Sequence, residues 1–173
     1  MELFFYTAII CGAVFLLSCL PLLYRFLFYP MTNYGFRGRL VYTDEGQVEP
    51  FRYEWGDTVI VAKPDFVYRL VNGSYAVVEF KSRFGSVYPS DVIQLKSCVL
   101  AVSEEWPVSR AFVATSRTYQ EIKVRSRWRI LRDIKPHIKL RRKIEHGYMP
   151  SRLEDRTKCK NCSFKAHCLP EDS

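Results

Sequence analysis

Residues 3–24 of the chain, Leu-Phe-Phe-Tyr-Thr-Ala-Ile-Ile-Cys-Gly-Ala-Val-Phe-Leu-Leu-Ser-Cys-Leu-Pro-Leu-Leu-Tyr, contain no charged side chain. A helix over this run is about 33 Å long at ~1.5 Å per residue, enough for the ~30 Å hydrocarbon core of a bilayer. Lipid leaves no water to satisfy backbone N–H and C=O groups, so such a run must close its own hydrogen bonds as a helix. Phe4, Phe5 and Tyr6 at one end, and Tyr24, Phe26, Phe28 and Tyr29 at the other, have the distribution of interfacial aromatic belts. A cleaved signal peptide fits less well, because no positive residue precedes the apolar run and no small-x-small site comes after it. Glu2 precedes the run, whereas Arg25, Arg37 and Arg39 come after it. The positive-inside bias therefore predicts an N-terminus outside and a cytoplasmic remainder, with membrane contact through residues 3–24. This divides the chain into an anchor over 1–29, a folded domain over 30–150 and a cysteine-rich tail over 151–173.

Beyond the anchor, the remainder of the 173-residue chain is long enough for one domain with its own core. The net charge is +8, from 26 Lys+Arg against 18 Asp+Glu. Such a balance suits a polyanion, either nucleic acid or an anionic membrane surface. No internal repeat or low-complexity tract is visible.

Past a polar connection over 30–39, hydrophobic alternation predicts strands over 39–43, 58–62 and 65–70, and Pro64 marks an irregularity between the last two. Val71-Asn72-Gly73-Ser74 has turn chemistry and links the third of these to a strand over 75–80 as a hairpin. Pro89-Ser90-Asp91 opens a helix to about residue 103, with Val92, Leu95, Val99 and Val102 at helical spacing. A strand over 110–115, a candidate partner over 122–124 and a basic helix over 127–146 complete the domain; Gly147 stops that helix, and Pro136 is a potential kink. Strands, then a helix, a strand and a helix make a mixed α/β domain.

Within the hairpin, Asp65 precedes one strand, and Glu79 and Lys81 alternate on the next. Side chains two apart on a strand share a face, so Val77, Glu79 and Lys81 lie together and Ala76, Val78 and Phe80 lie opposite. Two carboxylates supply the hard oxygen ligands that suit Mg²⁺ or Mn²⁺. A lysine beside them can steady an attacking water or a developing phosphate charge. The plainer reading of this short pattern is an ion pair on a solvated strand face.

The stretch Ala62-Lys63-Pro64-Asp65-Phe66-Val67-Tyr68…Val77-Val78-Glu79-Phe80-Lys81-Ser82 resembles the core of the PD-(D/E)-x-K nucleases, RecB branch. Tyr88-Pro89-Ser90-Asp91-Val92-Ile93-Gln94-Leu95 is similar to the helical glutamine motif of that branch. Gly147-Tyr148-Met149-Pro150 and Cys159-x2-Cys162-x5-Cys168 resemble the tail of its CRISPR-associated Cas-four-type exonucleases and their non-CRISPR relatives. The resemblance implies a restriction-endonuclease-like core, a mixed sheet flanked by helices. It also implies Asp65, Glu79 and the backbone carbonyl of Phe80 as ligands of Mg²⁺ or Mn²⁺, Lys81 orienting a water, and Gln94 in the active site. Ser82 is a candidate phosphate contact. Two departures stand out. Cys98 occupies the aromatic position of the glutamine motif, and no histidine precedes Asp65, leaving Glu54 as a conceivable substitute ligand.

Cys159, Cys162 and Cys168 match the family's C-terminal cluster ligands in spacing. Thiolates select iron–sulfur clusters or zinc. The family's fourth cysteine has no equivalent between residues 30 and 97, so a [4Fe–4S] cluster, the first expectation, would take a non-cysteine fourth ligand, with His167 the nearest; Zn²⁺ held by the same cysteines and His167 is the alternative and a metal-free relic the third possibility. Between Arg117 and Lys143 basic residues are opposed only by Glu121 and Asp133. Arg117, Arg125, Arg127 and Arg129, with Trp128 for stacking, are candidate nucleic-acid contacts; lipid headgroups are the competing partner for this segment.

These expectations describe a membrane-anchored, metal-dependent DNA nuclease acting on single strands or ends, as the resemblance implies. The alternative is a weak or inactive nuclease-fold module that binds nucleic acid or a partner at the membrane. A membrane-bound iron–sulfur redox protein has only the cysteine tail in its favour. The full-length chain is expected to remain with membranes through an alkaline carbonate wash, and a version starting near residue 30 to be soluble. A soluble full-length product with a trimmed N-terminus would instead mark a cleaved signal.

Overall fold

The computed structural model describes residues 2–46 and 48–149. The tail cysteines Cys159, Cys162 and Cys168, and His167, lie outside the described residues. The elements run α1 (Glu2–Phe28), β1 (Gly38–Thr43), β2 (Phe51–Trp55), β3 (Thr58–Ala62), β4 (Phe66–Leu70), β5 (Tyr75–Lys81), α2 (Pro89–Val102), β6 (Val108–Thr115), β7 (Tyr119–Glu121) and α3 (Arg127–Glu145). The protein is thus mixed α/β, with one apolar N-terminal helix.

α1 is long and apolar enough to cross a membrane, and no residue of its span Ile10–Phe28 is buried inside the fold. Its C-terminal end is tied to the start of the domain. Arg37 donates to the Tyr29 carbonyl at 3.1 Å, its guanidinium lies 5.4 Å from the Phe26 ring centroid, and Gly38 N–H donates to the Pro30 carbonyl at 3.1 Å. Arg25 reaches the turn between β4 and β5, where Gly73 holds φ +87 and a Cβ would come within 2.8 Å of the Arg25 guanidinium.

Five strands form one mixed sheet in the order β1-β4-β5-β6-β7. Only β5 and β6 are parallel, and α2 makes the crossover that a parallel pair requires. The other neighbours are antiparallel. β2 and β3 form a separate two-stranded sheet, and α2 packs between it and the β5–β6 pair. The pleat sorts the core into two layers. On one face Phe36, Leu70, Ala76, Val78, Phe112 and Ala114 form a buried cluster, with Tyr34, Phe66 and Tyr68 packed against it. On the other, Leu95, Cys98, Val99 and Val102 of α2 are buried.

Two sequence expectations need correction. The segment 51–55 is strand β2, which the sequence reading does not assign. The partner of β6 is Tyr119–Glu121, not 122–124, because Thr115 N–H donates to the Thr118 carbonyl at 2.7 Å and turns the chain back early.

The chain divides into two units, Met1–Ile134 and Lys135–Ser173. In the second, the last turn of α3 holds Arg142 and Lys143, and the turn after Glu145 contains Gly147 at φ +90. Tyr148 N–H donates to the Lys143 carbonyl at 2.9 Å, closing the helix end. α3 runs through Pro136.

Phe112 is fully buried between Phe36 and Tyr119, with ring centroids 5.1 Å and 6.1 Å away. Phe112→Ala should cost about 3–5 kcal/mol. Chemical denaturation, read through the change in midpoint at constant slope, checks this.

Candidate active site

Glu79 lies near the end of β5, a strand apolar but for Glu79 and Lys81 and flanked by β4 and β6, and its side chain is 2 % exposed. The carboxylate is therefore buried, not solvated as the plainer sequence reading supposes. The pleat aims it and Lys81 toward α2. Lys81 Nζ donates to Glu79 Oε1 at 2.8 Å and to Gln94 Oε1 at 2.9 Å. Cys98, one helical turn after Gln94, donates to Glu79 Oε2 at 3.7 Å. Gln94 and Cys98 lie four apart on α2, so they present to the strand together. Asp65, just before β4, accepts the Phe80 N–H through Oδ2 at 2.6 Å. That bond fixes its carboxylate one residue from both Glu79 and Lys81. Asp65, Glu79, Lys81 and Gln94, far apart in sequence, thus converge at one end of β5.

Burial pushes the Glu79 carboxyl above the usual carboxylate range, and the Asp65 charge pushes it further; the bond and charge of Lys81 and the Cys98 thiol pull it back only in part. Burial, then the Glu79 charge, raises the Cys98 thiol well above its ordinary value, so it stays protonated and donates. Two carboxylates that repel each other in a poorly hydrated corner are the electrostatic condition that a divalent cation relieves. Their oxygens, with the Phe80 carbonyl, match the donor type of Mg²⁺ or Mn²⁺. No third His, Cys, Asp or Glu joins such a group among the described residues, so water would have to fill the remaining positions.

The loop over 82–88 is pinned on both sides. Ser116 Oγ donates to the Ser82 carbonyl at 2.7 Å and Ser116 N–H to the Arg83 carbonyl at 3.2 Å. Arg83 pairs with the buried Asp91 and lies 4.3 Å from the Tyr88 ring centroid. Asp91 also accepts the Tyr88 N–H at 2.8 Å, capping α2. This clasp sets the start of α2 relative to β5, and with it Gln94 relative to Lys81. Sequence reading misses Arg83; its spacing of eight residues from Asp91 carries no local signal.

Ser82 is exposed at this end, and so is Arg117, whose guanidinium lies 5.4 Å from the Phe84 ring centroid. Arg127 is elsewhere. It pairs with Glu104 at 2.7 Å and donates to the Ser103 carbonyl, at the opposite end of α2 from Gln94. Arg125 and Arg129 are exposed near that helix start, and Trp128 is 68 % exposed beside Arg127. The structure therefore puts Ser82, next to Lys81, and Arg117, two residues past β6, at the same end of the sheet as the carboxylates, and puts Arg127 elsewhere. Glu54 lies on β2, paired with Val59 of β3.

No family model and no curated protein matches the chain. Among solved structures the chain is similar to the crystal structure of SSO0001, at 19% identity and a TM-score of 0.41. The alignment covers 69% of this chain and 57% of that one, so the chain spans little more than half the length of that relative.

The raised Glu79 value has a sign. The folded protein holds this proton more tightly than the unfolded chain, so stability falls as pH rises from the ordinary carboxylate value through the folded one, and the full penalty is present above both. In metal-free buffer, Glu79→Gln should therefore melt higher than wild type at pH 8, and the gain should shrink toward pH 4. A gain of a few degrees is the scale of about 1 kcal/mol in a chain of this size. A gain independent of pH would show that the Glu79 charge is not its source.

Proposed function

We propose that the protein is a divalent-metal-dependent nuclease with a restriction-endonuclease-like core, acting on DNA single strands or ends, with α1 in a membrane and the domain on the cytoplasmic side. The observation that carries this reading is the convergence of Asp65, Glu79, Lys81 and Gln94 at one end of β5, with the glutamate buried and only partly compensated. A structural ion pair needs neither a second carboxylate nor the glutamine, and a purely structural site gains nothing from repulsion between Asp65 and Glu79.

Asp65, Glu79 and the Phe80 carbonyl would hold Mg²⁺ or Mn²⁺, which would supply charge neutralisation at a phosphate and a more acidic water. Lys81 has two of its three N–H bonds committed to Glu79 and Gln94, and the third can be offered to an attacking water or a phosphate oxygen. Gln94 holds the ammonium in place from the helix side. Ser82 and Arg117, both exposed at this end of the sheet, would contact the flanking phosphates. Cys159, Cys162 and Cys168 would hold a [4Fe–4S] cluster, or zinc with His167. The basic excess supports a polyanionic substrate.

The test uses full-length protein in detergent micelles with end-labelled single- and double-stranded DNA. Cleavage should appear with Mg²⁺ or Mn²⁺ and vanish with EDTA. Asp65→Ala, Glu79→Ala and Lys81→Ala should each lower the rate by at least about a hundredfold while the variants still melt cooperatively. Near wild-type rates with Mn²⁺ in two of the three would sink the assignment and leave the alternative of a binding module.

A further inference from the structure

Across the sheet from Glu79, a cavity of about 450 Å³ opens at the same end of β5, lined by Tyr34, Phe80, Arg117, Thr118, Tyr119 and Asn33 among others. We propose that this cavity is a nucleobase subsite, which takes one unstacked base of a single strand whose adjoining phosphodiester lies at Asp65 and Glu79. The proposal rests on the nuclease reading for the second half of that statement only.

Four observations carry it. Phe80 joins the two places, because its N–H is held by Asp65 at 2.6 Å while its side chain, 39 % exposed, faces the cavity. A strand laid over the end of β5 thus has a phosphate site on one side and an aromatic wall on the other. The walls include Tyr34 and Tyr119, which pack edge to face with centroids 6.1 Å apart and an interplanar angle of 89°, so a base laid into this corner can stack on the 45 % exposed Tyr119 ring and meet Tyr34 beside it. The polar groups are of the kind that recognise a base and its phosphate: the Asn33 amide, the Thr118 hydroxyl and the exposed Arg117 guanidinium. Finally, the cavity is built in advance. Thr32 N–H and Oγ1 both donate to the Phe36 carbonyl at 2.8 Å, and Gly35 N–H donates back to the Thr32 carbonyl at 3.3 Å, locking the turn that presents Asn33 and Tyr34. Gly35 holds φ +74, which strains other residues, and a Cβ there would lie 2.8 Å from the Tyr119 hydroxyl and push that phenol aside.

The experiment places 2-aminopurine at successive positions of a short single-stranded DNA and titrates full-length protein in detergent, with Ca²⁺ in place of Mg²⁺. Quenching should concentrate at one position. Tyr119→Ala should weaken binding of the intact strand about tenfold, and Tyr119→Phe should restore it. Asn33→Ala, a change at an exposed turn residue, should weaken it in the same direction without touching the fold. On a strand that is abasic at the quenched position, wild type and all three variants should bind alike. No position-dependent quenching, or equal affinity of wild type, Tyr119→Ala and Asn33→Ala for the intact strand, overturns the proposal. Cleavage of end-labelled DNA with Mg²⁺ is scored separately. Quenching without cleavage keeps the subsite and sinks the nuclease reading, and cleavage without quenching does the reverse.

Discussion

Everything at the candidate site depends on one carboxylate being buried in the middle of a sheet. Glu79 stands on an inner strand, with Phe112, Val113 and Ala114 of β6 beside β5 and α2 above it. A charge in that place is costly unless paired and hydrogen-bonded. Lys81 and Cys98 compensate it in part, and the remainder shows as a carboxyl pushed above its ordinary range. The fold tolerates this because the neighbouring layers are large and dry: an aromatic cluster around Phe112 on one face and the aliphatic side of α2 on the other. The strain is local, the support is distributed, and the arrangement matches the general tendency of functional sites to hold perturbed titratable groups.

The parallel pairing of β5 with β6 is what gathers the parts. Both strands end on the same side, so the loops after Lys81 and after Thr115 meet there. Ser116 stitches them through the Ser82 and Arg83 carbonyls. α2, which connects the two strands, begins at that end because Asp91 caps its first turn and takes the Arg83 guanidinium. One topological choice therefore brings Lys81 and Gln94 into contact and sets Ser82 and Arg117 in the loops at the same end of the sheet.

Much of this is legible in the sequence. Alternation along Val77–Lys81 tells which side chains share a face, and helical spacing in α2 puts Gln94 and Cys98 on one side. The hairpin at Asn72-Gly73 and the helix start at Pro89 come from local turn and cap chemistry. What is not legible is of two kinds. The β2–β3 hairpin has a weak local signal that alternation alone does not pick out: Gly56-Asp57 is a two-residue connection between alternating runs, with Gly56 at φ +57. The Arg83–Asp91 clasp, the Tyr34–Tyr119 walls and the burial of Glu79 have no local signal at all. They arise from strand order, which periodicity does not encode. The partners of Arg127 are hidden for the same reason: its sequence neighbourhood is basic, but it pairs with Glu104 just past the end of α2.

The contact between Arg25 and the β4–β5 turn sets a standoff. That turn is the near end of β5, and the carboxylates occupy the far end, about 20 Å away at ~3.3 Å per residue. With α1 seated in a bilayer, Arg25 marks the headgroup level, and Arg37 against Phe26 and Tyr29 leaves little slack for a swivel. The site is thus carried on a short stiff post, not on a leash. Whatever binds at that end of β5 therefore has to come to the end of the domain turned away from the Arg25 contact.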